Sequence, residues 1–311
     1  MLFSLLESEG NAVNAQKTNQ VAMEALARQE FGRAQTLFFE NARKNPSYQT
    51  FNNLGYYLIT EGLECKNGKV RNAYRLGFSY LLKSRASHPS FTNSCAIAFA
   101  LSHFAEGAVQ GESHGEEDLY AAVLDALSLG YSDTMQYNLL RLQYRMRGAD
   151  GGLALQAREL AAKLPCEEST RLALEIARRM GDGEAVRRLL SEHGASLDPL
   201  ARLLFLVFLR EYEVGALLCE DVVSVWCLRD VDVALVAECY LQTNRGEEVA
   251  ALPSMGQLDS ALEADGQYLM RLLAPENAVL RQSIIQEYRE IPPFLVPCCF
   301  FGCSEHGTSW E

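Results

Sequence analysis

The side chains best suited to chemistry crowd into the last fourteen residues of this 311-residue chain. Cys298, Cys299 and Cys303 lie there beside His306, with Ser304, Thr308 and Ser309 interleaved, and they follow Ile291-Pro292-Pro293-Phe294-Leu295-Val296-Pro297, a run that breaks helix three times. Three chemistries suit this set. An apolar tail could fold back over the last helix and shield it. Thiolate and imidazole are soft-metal ligands, so Cys298, Cys299, Cys303 and His306 form a candidate zinc set, although the spacing is not that of a standard site. Thiols next to hydroxyls could also be substrates for ring formation by a separate enzyme, which would make the segment a modifiable or carrier peptide.

The rest of the chain offers little for catalysis. It has no phosphate-cradling Gly-rich loop ending in Lys-Ser/Thr, no dinucleotide fingerprint after a strand and no His-Glu-x-x-His helix. Gly148 to Gly152 follows a helix and reads as a linker. Histidines number five, and His103 sits between Ala100 and Phe104 in an apolar helical context. No catalytic residue and no cofactor is expected.

Composition narrows the partners. Lys and Arg total 28 against 40 for Asp and Glu, a formal charge of −12. That field repels phosphate backbones and anionic lipid, which argues against nucleic acid and favours basic protein or peptide partners. The longest apolar run, Leu203 to Leu209, falls well short of the roughly 20 residues that cross a bilayer in helical form. The first residues lack the basic start of a secretory signal. Nine cysteines, six of them scattered singly in helical patterns, fit a reducing compartment. The expectation is a cytoplasmic protein without a membrane span.

Helix-period patterning positions everything. Phe31, Ala34, Leu37, Phe38 and Ala42 make one stripe, stopped by Pro46. Helices are expected at about 11–26, 31–42, 48–60, 70–86, 91–106, 117–129, 133–147, 152–163, 167–180, 183–192, 198–211, 231–243 and 276–289. Strand signals are confined to 222–225 and 294–296, too little for a sheet, so the class is all-α. Stops at Pro46, Pro89, Gly130, Pro165 and Pro199 are 43, 41, 35 and 34 residues apart. Each interval holds two helices, the period of a helix–turn–helix solenoid. The two longest intervals carry insertions at 65–69 and 107–116.

Ala34, Phe38, Ala42 and Pro46, followed by Leu54-Gly55 and Leu58, resemble the tetratricopeptide repeat. Tyr137-Asn138-Leu139-Leu140-Arg141 echoes Phe51-Asn52-Asn53-Leu54-Gly55, and Ala154, Ala157, Ala161 and Pro165 are similar to the second helix of a later unit. The resemblance implies a right-handed α-α superhelix, a solenoid of stacked helix pairs. Repeats would span 11–200, further helical pairs 201–290 and a Pro/Cys-rich tail 291–311. It also implies a non-catalytic scaffold whose first helices line an inner groove, where Gln49, Asn53, Tyr56, Asn138 and Arg141 would face a peptide. Asn suits an extended peptide because one amide can pair with both a backbone donor and a backbone acceptor.

Overall fold

A computed structural model describes residues 2–64, 70–105, 115–222, 229–249, 271–303 and 310. Among these, fourteen α-helices and two single 3-10 turns have both ends described, 246–249 and 271–273 are helical as well, and there is no strand. The chain divides into two compact units, Met1–Leu142 together with Phe294–Glu311, and Gln143–Pro293.

The first unit is built from α1 (Leu2–Ala27), α2 (Phe31–Lys44), α3 (Tyr48–Glu64), α4 (Val70–Ser87), α5 (Phe91–Ala105), α6 (Glu116–Leu129) and most of α7 (Asp133–Arg147). Consecutive helices pack as the pairs α1/α2, α3/α4 and α5/α6. The reversal between α1 and α2 takes three residues. Gln29 adopts a left-handed φ of 61°, and the amides of Gln29 and Glu30 bond the carbonyls of Leu26 and Ala25, satisfying acceptors that a helix end leaves open. Of the predicted stripe on α2, Ala34, Phe38 and Ala42 are buried, along with Asn41, while Leu37 is half-buried and Phe31 is exposed. Burying a Phe side chain such as Phe38 stabilises by about 2–3 kcal/mol.

The close crossing of α3 and α4 depends on two glycines. A Cβ on Gly55 of α3 would stand 2.7 Å from the Gly77 carbonyl oxygen of α4, and a Cβ on Gly77 would stand 2.8 Å from that of Gly55. Only residues without a side chain let the two backbones approach this far. Between neighbouring pairs, Arg85 of α4 clamps Asp125 of α6 with two short hydrogen bonds, and Ser94 of α5 donates a third to the same carboxylate at 2.7 Å.

The second unit holds the end of α7, then α8 (Gly151–Lys163), α9 (Glu167–Arg179), α10 (Gly183–His193), α11 (Pro199–Phe208), α12 (Tyr212–Val222), α13 (Asp230–Gln242) and α14 (Ala278–Glu287). Asp150, Asp182 and Asp198 cap α8, α10 and α11 by accepting from the amides of Leu153, Ala185 and Leu200, each worth about 1 kcal/mol. Pro199 occupies the first turn of α11, as its position after Asp198 suggests. Two of the residues read as linker, Gly151 and Gly152, belong to α8 instead, because the Asp150 cap starts the helix there.

Inside this unit Glu175 is fully buried and serves three groups. Arg178 and Arg179 pair with it at 2.7 and 3.0 Å, and the Tyr144 hydroxyl donates to it at 2.8 Å. The same two guanidinium groups reach the carbonyls of Ile285, Gln286, Glu287 and Tyr288, closing the C-terminal end of α14 with cations where the helix dipole favours them. A second buried pair, Arg281 with Glu238 at 3.2 Å, ties α14 to α13.

Helix α12 answers to no expected helix, since the patterning predicts one helix over 198–211 and only a strand signal from 222. The chain turns inside that stretch, with Arg210 at a left-handed φ of 61° and Glu211 bonding back to Leu206. Leu209-Arg210-Glu211 contains neither Gly nor Pro, so composition gives no sign of the break. Val222 ends α12, and 223–225 of the suggested strand lie outside the described residues, as do the insertion at 65–69 and nearly all of that at 107–116. Residues 294–296 form neither helix nor strand.

Candidate peptide-binding groove

In the first unit each pair's leading helix carries at least one buried asparagine: Asn19 on α1, Asn52 and Asn53 on α3, Asn93 on α5 and Asn138 on α7. Helix packing sets these side chains in a row, and four of them hold a single strip of backbone, the chain's own segment from Leu295 to Phe301. Asn138 accepts from the Leu295 amide at 2.9 Å and donates to its carbonyl at 2.7 Å. Asn52 donates to the Cys299 carbonyl at 2.7 Å. Asn53 accepts from the Phe301 amide at 2.8 Å and donates to its carbonyl at 2.9 Å, and Asn19 donates to that carbonyl as well, at 2.9 Å. The amides also brace one another. Asn53 donates to Asn19 at 2.6 Å, and Asn93, bonded to the Leu81 carbonyl, donates to Asn52 at 3.1 Å.

Rings hold the side chains of the same segment. Phe300 stacks on Phe38, centroids 5.7 Å apart, and meets Tyr56 edge-on at 4.7 Å. Phe301 stands edge-on to Tyr48 at 5.4 Å. Such pairs add about 0.5–1.5 kcal/mol each beyond the area buried. After Phe301 the chain turns through Gly302, whose φ of 73° is a region that side chains disfavour, and a Cβ there would press on Asn19 Nδ2 at 3.0 Å.

The five groove residues named from sequence are all buried. Asn53 and Asn138 bond the tail backbone at both donor and acceptor, and Tyr56 packs against Phe300. Gln49 lies one turn before Asn53, and Arg141 one turn after Asn138. Asn19, Asn52 and Asn93 were not singled out. A signal for the first was present, since Asn19 and Asn53 lie one repeat period of 34 residues apart.

Of the candidate metal set, Cys299 and Cys303 are buried in the core of the first unit, Cys298 is half-buried, and His306 lies outside the described residues. Among the described residues no three ligating side chains come together. The Cys299 thiol donates to the Pro297 carbonyl at 3.1 Å. Burial raises its pKa well above that of an ordinary thiol and pushes Cys95 up to about 12, so both stay protonated and unreactive at neutral pH. Burial likewise drives the Tyr56 phenol upward. His103 packs edge-on to Phe99 at 4.7 Å, while His88 lies against Tyr48 at 4.5 Å.

Helix pairs whose leading helices share one lined face define an architecture that a structural comparison also finds. Over 83% of this chain and 98% of the other, the structure matches the crystal structure of a tetratricopeptide repeat protein from Parabacteroides merdae, with a TM-score of 0.52 and 13% sequence identity. The fold is tetratricopeptide-repeat-like. At that identity the likeness concerns the arrangement of helices, not the residues that line them. No protein-family model matches the chain, and a search of curated proteins finds no match. Among the described residues of this repeat-like fold, no helix is long and apolar enough to cross a membrane.

Proposed function

We propose that the chain is a non-catalytic scaffold whose first unit binds a peptide or protein segment along the face formed by α1, α3, α5 and α7. One observation carries this reading: two asparagines six positions apart on the bound segment each satisfy the amide and the carbonyl of a single residue. Backbone is the one feature all peptides share, and a buried row of carboxamides that reads it serves binding, since a wall meant only for packing would be apolar. Gln49 and Arg141, next to Asn53 and Asn138 on the same helices, extend the contact surface. A row held in place by packed helices pays little ordering entropy when a ligand arrives. None of the seven described cysteines is in a disulfide, which supports a reducing, cytoplasmic setting.

Peptides selected by display against the full chain test the proposal. Replacing Asn53 and Asn138 together by Ala should weaken those peptides at least tenfold, with helical content retained. Selected peptides that bind the doubly substituted chain as well as the original would overturn it.

A further inference from the structure

Resting on that reading, we infer that the segment 294–303 is a resident ligand of the groove, held in cis. The segment a partner must supply is therefore uncharged and irregular or extended, with an aromatic residue in the place of Phe300. Three features of the geometry support this.

The first is the chemistry of the wall. The side chains that hold the tail are amides and aromatic rings: Asn19, Asn52, Asn53 and Asn138 with Phe38 and Tyr56. Carboxamides rehydrate without cost when a segment leaves, whereas a wall of aliphatic side chains would not. The amide row can thus stand empty, whereas Cys299, Phe300 and Cys303 join the apolar core of the first unit, which includes one ring-lined pocket. That pocket, between Phe38 and Tyr56, is where Phe300 sits and where sequence selectivity resides. No carboxylate takes part in these contacts, and Glu24 lines a cavity only at Gly302 and Cys303, beyond them.

The second is the kind of bond. The hydrogen bonds that Asn19, Asn52, Asn53 and Asn138 make to Leu295, Cys299 and Phe301 all go to tail backbone, and six residues of extended chain reach about 20 Å. Another segment of different sequence can repeat those bonds in full.

The third is the route of the chain. Up to Pro293 it belongs to the second unit, where Arg171 pairs with Glu290 and Arg178 and Arg179 hold the end of α14. From Phe294 it belongs to the first unit. An anchored segment a few residues from its site is present at an effective concentration in the millimolar range, so a partner in trans must outcompete it. The tail sets a threshold for binding.

Two measurements on the full chain test this. The probe is a fluorescent peptide with the sequence of residues 294–303, its cysteines replaced by serine. Binding to the chain carrying F300A and F301A should be at least tenfold tighter than to the unaltered chain, and adding N53A should remove the gain. Equal affinity for both forms would overturn cis occupancy while leaving the scaffold reading standing, whereas no binding by either form would overturn both. Amide hydrogen exchange in the unaltered chain guards against a folding defect in the variant. The Leu295 and Phe301 amides should exchange together, at least tenfold faster than core amides of α3. Exchange only at the rate of global unfolding would make the tail a part of the core and overturn the inference.

Discussion

Asn53 holds Phe301 by both ends of its backbone, accepting from the amide at 2.8 Å and donating to the carbonyl at 2.9 Å. Both residues are nearly inaccessible to solvent, at 1% and 5%. Replacing Asn53 by Ala leaves a buried amide without its acceptor, at a cost of about 1–3 kcal/mol. The expected results are a lower denaturant midpoint and faster exchange at the Phe301 amide. N138A should do the same, raising exchange at Leu295 and Phe301 together, because one segment carries both anchors.

The α3/α4 crossing gives an opposed pair of glycine substitutions. G55A places a methyl 2.7 Å from the Gly77 carbonyl oxygen, and overpacking of this kind costs about 1–3 kcal/mol. Helix propensity returns up to about 1 kcal/mol, so the net change should be destabilising. Gly32 on α2 has open space where a Cβ would go, and G32A should be neutral or stabilising by up to about 1 kcal/mol. Thermal melting of the two variants beside the parent decides the sign.

Acid should weaken the link between α4 and α6. Partial burial raises the Asp125 pKa, but the hydrogen bonds from Arg85 and Ser94 and the Arg85 charge outweigh it and hold the group below its usual value. A carboxylate depressed in the folded state stabilises fully above its unfolded pKa near 4, and the contribution fades as pH falls through the lower folded value. With both partners partly exposed, about 1 kcal/mol or less is at stake. Urea midpoints measured from pH 5 down to 2.5 should fall less steeply in D125N than in the parent.

Glu175 should be the most sensitive position of the second unit. E175A strands the buried guanidinium of Arg178 and takes a partner from the partly exposed Arg179, and removing one partner of a buried ion pair costs about 3–5 kcal/mol. Chemical denaturation should show that loss. Exchange at the C-terminal end of α14 should rise first, because the arginines that cap it lose their own anchor.

The helices were largely legible in the chain because each is a local pattern. The stripe of Ala34, Phe38 and Ala42, the stop at Pro46 and the Asp198-Pro199 start all act within a few residues, where 3.6-residue periodicity and capping operate. The break at Arg210 was hidden for the same reason: a left-handed residue without Gly or Pro is imposed by packing on both sides. The echo of Phe51-Asn52-Asn53 in Tyr137-Asn138-Leu139 likewise sets Asn52 and Asn138 at matching places in two repeats, but neither composition nor period says what lies against them. That was decided by tertiary structure alone. Asn53 and Phe301 are 248 positions apart, and no local rule connects them. Only the stacking of α1, α3, α5 and α7 sets five asparagines in a row, and only the folded chain returns its Pro/Cys-rich tail to meet four of them.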